Sequence, residues 1–233
     1  MRSTFISLLA IAAVWPGGST VLLHAASDPP VLRAARVQKD FALDGNVSKD
    51  VWQKATSVRI ERESKTETAR AELSTTVRAL WSDQFLYLAY DCPFTKLTVY
   101  EPVQAGERFK LWERDVVEAF IGSDTNDIKR YTEYEVSPTN ERLDVRVHLP
   151  NYDFEWSSHF ESATRVDDKK KHWTAEMRIP WSALSETKPS AGTRWRINLY
   201  RCDYANKAFL AWNPTLNGSF HIPERFGVLE FSH

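Results

Sequence analysis

The chain has 233 residues, enough for one sandwich-sized domain and a leader. Basic and acidic side chains nearly cancel, 30 against 31, which argues against a nucleic-acid binder with its basic excess. Aromatics are abundant, with 9 Trp, 8 Tyr and 12 Phe: most are expected in a strand-rich core, and two or three Trp at the surface as a platform for stacking ligands.

The N-terminus reads as a targeting segment. Met1-Arg2 gives a positive start, Phe5 to Val14 is apolar, Pro16-Gly17-Gly18 breaks the run, and Val21 to Ala26 completes the segment. This pattern predicts a signal peptide over 1–26, cut near Ala25 or Ala26, and a secreted or periplasmic mature chain. The apolar run is short for a membrane span, a retained N-terminal anchor being the alternative. No Pro/Gly/Ser-rich stretch divides the chain beyond Pro30, so 27–233 is expected to form a single domain. Export leaves a disulfide between Cys92 and Cys202 open, beside the alternative of two small buried residues.

Strand signals then come in order. Thr75 to Trp81 and Phe85 to Asp91 flank Ser82-Asp83-Gln84 as a hairpin, and Val116 to Ile121 is a strand. Tyr131 to Val136 and Glu141 to His148 flank Ser137 to Asn140. Ser158 to Val166 and His172 to Ile179 flank a lysine run, Lys169-Lys170-Lys171, which reads as a solvated turn. Arg194 to Asp203 and Ala208 to Trp212 form a fourth hairpin, and Phe226 to Phe231 closes the chain. Within these segments Trp173, Ala175, Met177 and Ile179 alternate with polar residues, as do Leu143, Val145 and Val147, so each segment has one apolar face. Helical periodicity is almost absent; Ser182 to Glu186, after Pro180, predicts one short turn. The expectation is an all-β, antiparallel β-sandwich or jelly roll with little helix.

The segments also resemble, in order, a family 9 carbohydrate-binding module. The opening Asp44-Gly45 with Trp52, the hairpin Ala79 to Tyr87, the block Leu111-Trp112-Glu113-Arg114-Asp115-Val116-Val117-Glu118-Ala119-Phe120, and Trp173-Thr174-Ala175-Glu176 with Ile179-Pro180-Trp181 carry the likeness. Ile197-Asn198, Asp203, Ala211-Trp212 and Phe226-Gly227-Val228-Leu229 complete it. The resemblance implies a sandwich, often with structural calcium, that is attached in several members to xylanases and grips a glucan or xylan end between two aromatic rings. It implies Trp112 and Phe220 as the clamp, and Glu118 and Asn217 as hydroxyl readers. It assigns no calcium ligand here. Glu135 stands where the resemblance expects a binding Arg, and Tyr200 where it expects Gln.

A sugar offers apolar C–H faces to a ring and hydroxyls to charged groups, so Trp112, Phe220, Glu118, Asn217 and Arg201 form the expected ligand-binding set. Arg201 would pair with the carboxylate of an acidic sugar, or form a structural ion pair with Asp203 two residues on. His221 reads first as a loop histidine satisfied by backbone, with a sugar contact or general base as the lesser alternative. The expected function is non-catalytic carbohydrate binding, with a separate glycoside hydrolase as a conceivable companion. One alternative is a glycoside hydrolase or polysaccharide lyase using the acidic group Glu113, Asp115, Glu118, Glu133 and Glu135. Those acids equally fit a calcium site, or a solvated face paired with Arg78, Arg114 and Arg130. A second alternative, an extracellular haem domain, is disfavoured because alternation points Met177 into the core.

Overall fold

The structure, a computed structural model, describes residues 28–233, so the leader expected over 1–26 lies outside the described residues. Its strands in chain order are β1 (Val31–Arg36), β2 (Ser57–Ile60), β3 (Arg62–Glu63), β4 (Thr75–Trp81), β5 (Phe85–Pro93), β6 (Val116–Gly122) and β7 (Arg130–Val136). They continue with β8 (Arg142–His148), β9 (Asn151–Asp153), β10 (Glu161–Asp167), β11 (His172–Pro180), β12 (Arg194–Asp203), β13 (Ala208–Ala211) and β14 (Gly227–Phe231). One turn of helix, α1 (Trp181–Leu184), comes after Pro180, where a short turn was expected.

Each expected hairpin forms, and local chemistry explains why. Ser82 Oγ accepts the amides of Gln84 and Phe85 in the β4–β5 turn. Asp167 Oδ1 accepts those of Lys169 and Lys170 between β10 and β11, and Asp203 Oδ1 that of Asn206 between β12 and β13. Short polar side chains of this kind imitate a backbone turn. The strands run along one path, β10-β11-β5-β4-β1-β14-β12-β6-β7-β8-β9, with β2, β3 and β13 attached beside it. The ladders are antiparallel except at β1, which runs parallel to both β4 and β14 and joins the two halves. Two parallel partners were not foreseen, because Val-Leu-Arg-Ala-Ala-Arg does not alternate cleanly.

The path curls into a sandwich. Leu88, Tyr90, Cys92, Ala175 and Met177 from β5 and β11 share one apolar core with Val117, Ala119, Tyr134, Val136 and Leu199 from β6, β7 and β12. Burial of this core drives the fold. Five Trp (Trp52, Trp81, Trp173, Trp181 and Trp195) are buried, while Trp112, Trp156 and Trp212 are half-buried. Both cysteines are free and buried on different sides of a sheet: Cys92 in the core between the layers, Cys202 on the outer face of β12.

Alternation gives each layer a second, outward face. On the β4-β5-β11 layer, Leu80, Tyr87 and Ala89 are covered by the segment that carries Val37, Val47 and Trp52. Glu176, fully buried on the same face, holds this cover down. It accepts the amides of Asp44 (2.9 Å) and Gly45 (2.8 Å), the Trp52 indole N–H (2.7 Å) and the Lys49 ammonium (2.7 Å). Gly45 is required there: its φ is +76°, and a Cβ would lie 2.7 Å from the Thr164 carbonyl carbon. The opening Asp-Gly and Trp therefore belong with the Trp-Thr-Ala-Glu block, although 131 residues separate Gly45 from Glu176. The outer face of the other layer is covered in part, by loop residues such as Leu111, Phe220 and Phe226, and the candidate site lies on it.

Candidate functional site

Strands β12, β6 and β7 bring the site together by register. Tyr200 pairs with Glu118, Glu118 with Glu135, and Phe120 with Glu133. Cross-strand partners share a face, and period two adds Cys202, so these residues all point outward from the core. Above them is a cavity of about 490 Å³, within the range of about 300–1,000 Å³ typical of small-ligand sites. Glu118, Glu133, Phe120 and Cys202 form its floor; Trp112, Tyr152, Phe154, Tyr204, Phe209 and Phe220 stand around it.

The walls are held by specific contacts. Trp112 sits on a single 3-10 turn, Leu111–Glu113, entered through Lys110 in the left-handed region (φ 63°). The Tyr204 hydroxyl donates to the Trp112 carbonyl at 2.9 Å. Buried Asp115 accepts the amides of Thr98 and Tyr204, tying the two flanking loops together; burial raises its pKa to about 6. Phe220 stacks on Tyr200 with ring centres 4.1 Å apart, and the Tyr200 hydroxyl donates to the Phe220 carbonyl at 2.8 Å. Phe154 lies 6.0 Å from Trp112 and 5.2 Å from Phe109. Phe109 is 58% exposed, and Tyr152, Phe154 and Phe209 are also exposed, so the rim presents bare rings to solvent.

The floor is acidic and dry. Glu118, Glu133 and Glu135 are buried, and burial together with mutual repulsion raises the pKa of Glu118 and Glu135 well above the ordinary carboxylate value; burial raises that of Glu133 to about 7. The Cys202 thiol donates to Glu118 at 3.4 Å. Glu135 has no hydrogen-bond partner at either oxygen, and Glu118 and Glu133 are its acidic neighbours on the same face. His221 also lines the cavity. Its Nδ1 lies 2.8 Å from the Tyr131 hydroxyl, not against backbone as expected, and its Nε2 lies 3.9 Å from Glu133. Desolvation lowers its pKa to about 4, and below neutrality Glu133 keeps its proton and offers no compensating charge.

Of the expected site residues, Trp112, Glu118 and Phe220 come together around this cavity. Asn217 sits on the exposed rim loop beside Gly218 and Ser219, its Oδ1 accepting the Ser219 amide. Arg201 does not join them. It lies on the opposite face of β12, 1% exposed, paired with Asp203 at 2.7 Å and donating to Thr75 Oγ1 and the Leu73 and Pro93 carbonyls. Period two explains the correction: Tyr200 and Cys202 face the cavity, so Arg201 between them must face the core. Met177 is a core residue, as alternation required. Among the described residues no three His, Cys, Asp or Glu side chains are placed to hold a metal ion, and no calcium ligand is assigned. Tyr152, Phe154, Phe109 and Phe209 were not foreseen as site residues, and His221 was foreseen only as the lesser alternative. The alternation of Tyr152, Phe154 and Trp156 with Asp153 and Glu155 was the available signal for two of them.

A family model described as carbohydrate family 9 binding domain-like matches residues 43–233. The chain belongs to this family. Its fold is similar to a putative carbohydrate-binding protein from Bacteroides uniformis, with a TM-score of 0.72 and 18% identity over 88% of this chain and 100% of that one. It is also similar to a carbohydrate binding module family 9 from Caldicellulosiruptor kristjanssonii in complex with cellotriose (TM-score 0.65, 16% identity, 87% of this chain and 94% of that one). The same module in complex with glucose gives a TM-score of 0.63 and 16% identity over 86% and 95%. An "Extracellular protein" of Arthroderma benhamiae is 27% identical over 175 residues, covering 67% of this chain and 78% of that one. The family 9 chain thus keeps the β-sandwich of these relatives, and among its described residues no helix is long and apolar enough to cross a membrane.

Proposed function

We propose that the protein is an extracellular, non-catalytic binder of a carbohydrate chain end, exported through a leader at 1–26. The observation that carries this reading is the aromatic-walled cavity with carboxylates on its floor, on the outer face of β12, β6 and β7. Trp112 and Phe220 take the C–H faces of a terminal sugar, Glu118 engages hydroxyls beneath, and Asn217 offers its side-chain amide N–H groups from the rim. The exposed Tyr152, Phe154 and Phe209 rings extend the contact to the next sugar along the chain. The family, the cellotriose and glucose complexes of the Caldicellulosiruptor module and the extracellular relative support it. In this role the chain works beside a separate glycoside hydrolase acting on the same polysaccharide, such as xylan.

Binding is favoured over hydrolysis by the placement of the acids. Glycoside cleavage uses two carboxylates on either side of the scissile bond. Glu118 and Glu133 instead rise from the same sheet face, diagonal to each other on adjacent strands, so both lie beneath a ligand rather than on either side of it. Calorimetric titration with glucan, xylan and uronate oligosaccharides tests the reading. Neutral oligosaccharides are expected to bind, with Trp112→Ala weakening affinity tenfold or more, about 1.4 kcal/mol, and no reducing ends released. Unchanged affinity in Trp112→Ala would remove this cavity as the site.

A further inference from the structure

We propose that the carbohydrate this cavity selects carries a free, protonated amine: its ligand is an amino sugar. The inference rests on the reading of the cavity as a carbohydrate site and adds the charge of the ligand.

Three observations lead there. The first is a cluster of buried carboxylates with no counter-charge. Glu118 and Glu133 line the cavity, Glu135 lies in register beside Glu118, and none of the three has a Lys or Arg within ion-pair distance among the described residues. Glu135 is fully buried with both oxygens unpartnered. The one basic neighbour is His221, 3.9 Å from Glu133 and held neutral by burial. Arg201, one strand away, faces the core and is committed to Asp203.

The second observation is how the other buried acids are treated. Glu176 has two amides, an indole and Lys49; Glu141 has Arg108 and the Gln104 amide; Asp203 has Arg201; Asp115 has two amides. A buried carboxylate without donors is costly, and this fold supplies donors wherever an acid is structural. Glu118 and Glu133 on the cavity floor and Glu135 beside them stand together without an amide or a Lys or Arg donor among the described residues: Glu118 has the weak Cys202 thiol, and Glu135 has no partner. Their repulsion is relieved by taking up protons or by a cation from outside.

The third observation is the wall. Aromatic faces attract cations through their negative π-surface, most strongly where water is excluded. Trp112, Phe120, Tyr152 and Phe220 line the same cavity as Glu118 and Glu133. Rings are poor partners for a hydrated metal ion, and no three-ligand metal group forms among the described residues. An alkylammonium on an apolar ring matches both halves of the cavity: the ring meets the aromatics and the amine meets the acids. An acidic sugar meets repulsion instead.

The test compares three β-1,4-linked oligosaccharide series of equal length by calorimetry on the full chain. Glucosamine oligomers carry the free amine, N-acetylglucosamine oligomers have it blocked, and glucose oligomers lack it. At a pH where the amine is protonated, glucosamine oligomers are expected to bind at least tenfold tighter than either neutral series. Glu133→Gln and Glu135→Gln, each nearly isosteric, are each expected to bring that ratio at least severalfold closer to one. Raising salt is expected to weaken the amine series more than the neutral ones. Equal or weaker binding of the amine series, with neutral oligomers bound, would overturn this inference and leave the carbohydrate site standing. A preference that persists in both variants would overturn it as well, by detaching the preference from the acids. Binding to none of the three would overturn this inference, and the carbohydrate site would fall with it only if the xylan and uronate titrations also failed.

Discussion

On one outer face of the sandwich, Glu176 collects two backbone amides, an indole N–H and the Lys49 ammonium beneath a covering segment. On the other, Glu118, Glu133 and Glu135 stand together with a thiol and a neutral histidine for company. Both faces arise from the same alternation, one strand layer apart, and both bury carboxylates. What differs is whether the chain itself supplies the compensating donors. The covered face is closed by residues 37–55, and its acid is a structural tie between distant segments. The segments over the other face, which carry Leu111, Phe220 and Phe226, leave a cavity and bring no Lys or Arg to its acids among the described residues. The comparison separates acids that fasten a fold from acids that await a ligand, a distinction that residue type alone does not give.

The largest effect is expected on the covered face. Glu176→Ala leaves the Asp44 and Gly45 amides and the Trp52 indole N–H without their acceptor and takes one of several partners from Lys49, and is expected to cost about 3–5 kcal/mol of stability in denaturant unfolding, the sum of several donors left unsatisfied. If Glu176→Ala were as stable as the parent, the covered face would not differ from the cavity face. Arg201→Ala is expected to be of similar size, because it leaves Asp203 buried and unpaired. In the protein that still folds, the order of preference among neutral and acidic sugars is expected to stay as it was. A selective loss of uronate binding would return Arg201 to the site.

The hairpins were legible because their turns carry Asp, Ser and Asn at positions where short side chains hold backbone amides, and because their strands alternate. β1 was not, since a strand paired on both sides in a curled sheet need not alternate cleanly, and its parallel partners lie 45 and 197 residues along the chain, at Ala79 and Phe231 from Ala34. Trp112, Glu118 and Phe220 were legible through the family resemblance. Their neighbours Tyr152 and Phe154 come from β9 and the stretch just after it, a piece too short for periodicity to stand out. The shared face of Glu133 and Glu135 was legible from period two. Their lack of a basic partner was not: Arg78, Arg114 and Arg130 were all available in sequence. In the fold Arg130 pairs with Asp127, Arg114 covers the Tyr100 ring, and Arg78 lies on the other layer in β4. Pairing depends on which face each strand turns outward, and on which layer a strand joins, so it is settled only once topology is.

Stability against pH gives a smaller and more discriminating contrast. Glu133 has a folded-state pKa of about 7 against an ordinary value of 4.5. Between those values the folded protein binds more protons than the unfolded chain, so this group lowers stability as pH rises through the window. His221 acts with the opposite sign. Its folded pKa of about 4 lies below 6.5, so the unfolded chain takes the proton first and stability is lost as pH falls. Glu118, Glu135, Tyr131 and Tyr152 also face Glu133, and the comparison must be made against a variant rather than read from one curve. Glu133→Gln is expected to flatten the decline in ligand-free stability from about pH 4.5 to about 7, by on the order of 2 kcal/mol across the window. Glu135→Gln at alkaline pH is the smallest effect: removing one of three crowded charges is expected to raise stability by about 1 kcal/mol, or roughly 2–4 °C in Tm. For Glu176→Gln the same change removes an anion that has its donors, and the sign reverses. Destabilisation by Glu135→Gln equal to that of Glu176→Gln would mean that the cavity face compensates its acids as fully as the covered one. The cavity would then have no need of a cation from outside.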